Sequence, residues 1–159
     1  ASFVSHIAVS LGEHLHVEDT NDLMISGLFH DVGLLARSHC QHNVMKSVID
    51  KCKQAKTSFY ETEKLETIPT QDLNERTSFL IEHHHTPENQ RQSTDFHLDR
   101  ELDILTFADT LAHRMKYGFK DYIRDTAVNK FFLDRLGLSV DVISKKIKDT
   151  QDAMAALNF

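Results

Sequence analysis

Three places in this chain put nitrogen or oxygen ligands where apolar core residues would be expected. His30-Asp31 closes the apolar run Gly27-Leu28-Phe29, with Val32-Gly33-Leu34-Leu35 after it. His84-His85 follows the stripe Leu73, Thr77, Leu80 and Ile81, with His84 expected inward and His85 at the edge of the same face. Asp109 lies between Leu105 and Ala112 on a third apolar face, where neither His113 nor Arg114 of its own helix is expected to reach it. A carboxylate removed from water costs several kcal/mol unless a cation or a donor neutralises it. Imidazole with carboxylate suits hard to borderline divalent ions (Fe, Mn, Zn or Mg), and the absence of nearby thiolate disfavours a structural zinc cage. An ion held this way can activate water and polarise a phosphoryl oxygen. The alternative is a buried His-Asp hydrogen bond that satisfies a core and binds nothing.

Helices must position these groups. Phe3, Ile7, Ala8, Leu11 and Leu15 recur at helical spacing and predict a first helix over 2–16. Asp19 or Thr20 caps a second that runs into His30, with Met24, Ile25, Leu28 and Phe29 as its buried stripe and Gly33 as its stop. A third covers 43–55, with Val44, Val48, Ile49 and Cys52 inward. Ser58-Phe59-Tyr60-Glu61 has the form of a capping box opening a short charged helix. After Pro69, Thr70 caps the helix that carries His84 and His85, and Pro87 ends it. A polar loop over 86–98 leads to Asp99, the expected cap of a long helix to about Tyr117 with Leu102, Leu105, Ala108, Leu111, Ala112 and Met115 buried. Two helices close the chain: Tyr122 to Leu136, stopped by Gly137, and Ser139 to Leu157, with Val140, Ile143, Ile147 and Met154 packed inward. Phe131, Phe132 and Leu133 read as core.

Composition agrees with one soluble all-α domain over 1–159. It is 40% hydrophobic and 26% charged, with only five glycines and two prolines and no strict Val/Ile/Thr alternation. The net charge of -6 argues against the basic face that phosphate contacts need, so nucleic acid is not an expected partner. No run has the length of a membrane span. Cys40 and Cys52 lack framework spacing and read as thiols of a reducing cytoplasm. The chain is already helical at its opening Ala1, as a fragment of a longer protein would be. Among eleven histidines, His14, His16 and His97 read as surface, and His39-Cys40-Gln41-His42 reads as a solvated loop because no second ligand pair stands at finger spacing.

Gly27 to Leu35, with its His30-Asp31 pair, resembles the signature of the HD superfamily of metal-dependent phosphohydrolases, and most closely its HDOD and HD-GYP signalling domains. Ile81-Glu82-His83-His84-His85-Thr86-Pro87 is similar to their paired-histidine motif, and Leu105 to Ala112 to the later helix whose aspartate is a metal ligand in active members. The Leu136-Gly137-Leu138-Ser139 turn and the final helix resemble the end of HDOD domains. The resemblance implies an HD-type helical bundle with extra C-terminal helices. It also implies a metal shell of His30, Asp31, His84, His85 and Asp109.

The chain departs from the enzymes' pattern at several points. Phe3 stands at the first ligand position, leaving His6, nearby on the same helix, as a substitute ligand. Leu34 replaces the phosphate-binding lysine, no histidine occurs between Phe59 and Glu82, and residues 86–98 lack a Gly-Tyr-Pro loop. These departures weigh against cyclic-dinucleotide cleavage. HDOD domains are regarded as regulatory relatives, so the expected function is a signalling module acting on other signalling proteins or domains and holding a divalent metal. The alternative is an active phosphohydrolase acting on a phosphorylated small molecule. There Asp31 and His84 are the catalytic residues, and His6 or His84 completes the shell of His30, Asp31 and Asp109. A third reading is a structural module with an inherited site.

Overall fold

The computed structural model describes residues 1–32, 42–55, 74–86, 90–91, 95–117 and 130–156. The fold is all-α, with seven helices and no strand among the described residues. They are α1 (Ser2–His14), α2 (Asn21–Phe29), α3 (His42–Ala55), α4 (Glu75–His83), α5 (Phe96–Arg114), α6 (Lys130–Leu136) and α7 (Val140–Ala156). The expected capping box at Ser58, the Pro69-Thr70 start, Gly33 to Gln41 and the stretch from Tyr122 to Asn129 lie outside the described residues. None of these helices is long and apolar enough to cross a membrane.

α5 is the central helix. Eleven of its residues are buried, from Glu101 to Ala112 with only Thr106 half-buried, and it packs against α1, α2, α4 and α6. The α1 stripe forms as its spacing predicts: Phe3, Val4, Ile7, Ala8 and Leu11 are buried against α5 and α2. Three helices end in the same way. His16 (φ 58°), Lys116 (φ 64°) and Gly137 (φ 66°) are left-handed residues just past α1, α5 and α6. Behind them the N–H groups of Val17, Tyr117 and Leu138 bond back to the carbonyls of Gly12, Ala112 and Leu133. This wrap satisfies carbonyls that the helix leaves open and folds the next side chain onto the core. Tyr117 thereby stacks on Phe3, ring centroids 4.6 Å apart.

The inner face of α2 is not the apolar stripe read from sequence. Leu23, Ser26, Gly27 and His30 are buried, while Met24, Leu28 and Phe29 are each about 40% exposed. The cause is the closeness of α1. A Cβ on Gly27 would sit 2.6 Å from Ser5 Cα and 2.8 Å from Ser5 N. The Ser5 hydroxyl donates to the Met24 carbonyl at 3.0 Å across the same contact. Small residues at i and i+1 permit this approach, and the larger neighbours turn outward. α2 also ends at Phe29 with His30 and Asp31 in a turn, earlier than the expected stop at Gly33.

Caps shift for similarly local reasons. Asn74, not Thr70, caps α4 by accepting from Thr77 N at 2.7 Å. Asp95, not Asp99, caps α5, accepting from His97 N and Leu98 N. Ser139 caps α7 as expected, but Val140 is exposed rather than packed, because it sits in the first turn beyond the reach of the core. Ile143 is buried, and Ile147 and Met154 pack on the core from its edge. Met115, in the turn after α5, is half-buried. Of the α3 stripe, Cys52 is buried and Val48 and Ile49 half-buried.

Two ionic clamps hold the frame. Arg76 makes a two-pronged bond to Glu101 (2.9 and 2.5 Å) and lies 3.6 Å from Asp22, joining α4, α5 and α2. Buried Asp103 pairs with Arg91 (2.6 Å) and with Arg135, tying the segment after α4 and helix α6 to α5. Paired arms of this kind are the geometry in which burying charge is tolerated.

Two outcomes test this description. Gly27→Ala forces backbone against backbone and should destabilise by about 3 kcal/mol, at the upper end of overpacking costs, as read by urea unfolding. The backbone N–H groups of His97 and Leu98 hold the Asp95 carboxyl below its ordinary value of 3.8. A depressed folded-state value means the stabilisation is present above the unfolded value and lost as pH falls through the folded one. Asp95→Asn keeps an acceptor without the charge. It should therefore lose less stability than wild type between about pH 5 and about pH 2.

Candidate metal centre

Each of three helices delivers one part of the site for a local reason. His30 is the C-cap of α2, one turn beyond Ser26 on the buried face. His84 is the C-cap of α4, placed inward by the Thr77, Leu80, Ile81 stripe. Asp109 is 1% exposed on α5. The three meet. His30 Nε2 lies 3.0 Å from Asp31 Oδ2 and 3.5 Å from Asp109 Oδ1. The rings of His30 and His84 meet edge to face at 5.4 Å, and those of His84 and His85 lie 3.9 Å apart.

Both buried imidazoles are tied by the same nitrogen. Nδ1 of His30 donates to the Gly27 carbonyl at 2.9 Å, and Nδ1 of His84 to the Ile81 carbonyl at 2.6 Å. A carbonyl only accepts, so Nδ1 carries the hydrogen in each ring and Nε2 faces the cluster. Metal-bound histidines are held in this manner, the second ring nitrogen oriented by a backbone or carboxylate acceptor. His84 Nε2 is buried and has no hydrogen-bond partner. Its carbonyl is fixed as well: Thr106 Oγ1 on α5 donates to it at 2.6 Å. Thr106 thus ties the end of α4 to the helix that carries Asp109.

The charges fit a cation. Burial opposes a proton on His30, but hydrogen bonds to Asp109 and Asp31 and their negative charge outweigh it, raising its pKa from 6.5 to about 9. For Asp31 burial pushes upward, yet the His30 hydrogen bond and charge win and hold it below 3.8. His84 goes the other way. Burial, and then the charge on His30, push it below 6.5 and keep it neutral. A neutral imidazole with an unshared Nε2 lone pair beside two carboxylates is a donor set for a divalent ion.

Two overlapping groups of donor atoms converge within 4.8 Å: His30, Asp31 and Asp109, and His84, His85 and Asp109. The residues present therefore fit an ion on two counts, the orphaned His84 nitrogen and the mixed imidazole-carboxylate donor set. Five of the six ligands expected from sequence are brought together. His6 is not. It is exposed on α1, 2.9 Å from the Ser2 carbonyl through Nδ1, because its position lies off the stripe that faces α5. Phe3, at the family's ligand position, is core packing. His14, His16 and His97 are exposed, as read.

Two residues were missed. His113 is 9% exposed at the side chain, and its Nε2 lies 3.3 Å from Asp109 Oδ1, four residues along α5. The i,i+4 spacing itself was the available signal, and the expectation that His113 would not reach Asp109 is corrected. Thr106 offered no signal, since its partner is a backbone carbonyl 22 residues away.

A family model described as HDOD domain matches residues 1–99, a span that takes in His30, Asp31, His84 and His85 and ends before Asp109. No curated protein and no solved structure matches the chain. The matched span covers well over half of the 159 residues and contains both histidine motifs at the helix ends just described, and the chain belongs to the HDOD domain family.

Proposed function

We propose that this HDOD domain is a regulatory signalling module that holds a divalent metal ion between α2, α4 and α5 and acts through contacts with other signalling proteins or domains. The observation that carries the metal reading is His84 Nε2: buried, unpartnered, and oriented by its own Nδ1 bond toward His30 and Asp109. Leaving such an atom unpaired costs about 1–3 kcal/mol, which an ion would remove. His30, Asp31 and Asp109 would hold the ion on one side and His84 and His85 on the other, with Fe, Mn, Zn or Mg as candidates. Family membership supports the regulatory role. Two cysteines in 159 residues suit a reducing compartment such as the cytoplasm.

One observation favours the phosphohydrolase alternative. The Asp31 side chain is 26% exposed, in contrast to buried His30 and Asp109, so the donor group opens to solvent beside it. A bound ion would supply a Lewis acid there. Asp31 would face a phosphorylated small molecule from the open side, and His84, its Nδ1 committed to the Ile81 carbonyl, would hold the ion from the enclosed side.

Protein purified without chelator should carry Fe, Mn, Zn, Co or Ni, or take up one of these or Mg on titration after chelation. At a free ion concentration of about 100 Kd, binding adds about 2.7 kcal/mol, which in a chain of this size raises Tm by about 5–10 °C. Asp109→Asn and His84→Ala should abolish that rise. An unchanged melting curve in every metal, with no metal retained, ends the metal reading. Turnover of p-nitrophenyl phosphate or its bis ester by the loaded protein decides the second question. An enzyme loses turnover in Asp31→Ala, whereas a regulator shows none in wild type.

A further inference from the structure

We propose that the groove beside α2 is the docking surface of the regulatory module, and that its occupant is a basic amphipathic helix of a partner protein. The inference deepens the regulatory reading above and rests on it. α2 is apolar on two sides. Leu23 and Gly27 face the core, while Met24 and Leu28, one turn apart on the outside, are 41% and 40% exposed. A helix apolar around most of its circumference is built to be covered on more than one face. Single exposed apolar residues are ordinary, but these two line one groove of about 440 Å³ together with Val9 of α1 and Ala153 of α7.

The groove is a trough between helices. α1 packs against both α2 and α7, so its outer face lies between them. α2 supplies an apolar wall, Asp149 stands on the α7 side, and Glu13 lies in the last turn of α1. Neither carboxylate has an ion pair among the described residues, and none of those that line the groove is a lysine or arginine. The complementary charge is therefore positive, and the net charge of -6 on the chain steers in the same direction. A helix laid along the trough would meet α2 with apolar residues at i, i+3, i+4 and i+7 and turn Lys or Arg toward Glu13 and Asp149. Leu28 stands two residues before His30, so the groove and the metal centre share one short helix.

The test is fluorescence anisotropy of a labelled peptide of about 18 residues, with Leu at those spacings and Lys on its polar face, titrated with the full chain. A second peptide carries Glu in place of Lys. The Lys peptide should bind at least about 10-fold tighter than the Glu peptide, and more weakly as salt rises. Leu28→Asp should lower that affinity about 10-fold or more, with an unchanged melting curve because the side chain is already exposed. Glu13→Lys combined with Asp149→Lys should reverse the preference between the peptides, and this variant decides the matter if Leu28→Asp unfolds. No binding of the Lys peptide, or binding indifferent to these substitutions, would overturn the proposal. Self-association of the chain in sedimentation equilibrium, lost in Leu28→Asp, would also overturn it, because the occupant is then a second copy. The regulatory reading fails separately, on phosphoester turnover by the loaded protein, which none of these titrations measures.

Discussion

A carboxylate in the middle of the most buried helix is the constraint on which this structure turns. Asp109 is 1% exposed among Leu105, Ala108, Leu111 and Ala112, on the helix that touches four others. Its charge cannot be hydrated there, so the surrounding helices must bring compensation to it. His30 arrives from the end of α2 and His113 from the next turn of α5. His84 comes from the end of α4. The polar ends of two short helices point into the domain for this reason, where apolar caps would otherwise complete a core.

Getting two helix ends to one point requires more than the groups that meet there. The close crossing of α1 and α2 at Ser5 and Gly27 sets the height of His30 and supplies the carbonyl that orients its ring. The Arg76 clamp fixes the start of α4 and the Thr106 hydroxyl its end, so His84 is registered against α5 at both termini of its helix. Asp103 with its two arginines does the same for the segment after α4 and for α6. Each clamp has an end on α5. The central helix is thus both a source of site residues and the reference against which the others are placed.

Imidazoles within this cluster are not equivalent, and position alone separates them. His30, between two carboxylates, is pushed toward the charged form, while His84, deeper and beside His30, is pushed toward the neutral one. His85 sits half-buried at the rim, and His83, two residues earlier, turns away to pack on Phe79. Three successive histidines therefore take three different environments, as the 100° step of a helix end requires.

The sequence by itself determined the helical class, most of the inner stripes of α1, α4 and α5, and the identity of five of the residues that converge. Those follow from periodicity and from the rule that ionisable groups on apolar faces need partners, which is local information. It also held the Asp109–His113 spacing, though it was misread. What only the tertiary structure decided is which face of α2 turns inward. Hydrophobic periodicity favours Met24, Ile25, Leu28 and Phe29, but the closeness of α1 admits only Ser26 and Gly27 at the crossing. The hold of Thr106 on the His84 carbonyl is of the same kind. The α1–α2 crossing and the Thr106 bond depend on distances between elements far apart along the chain, and such distances are set by packing rather than by any local pattern.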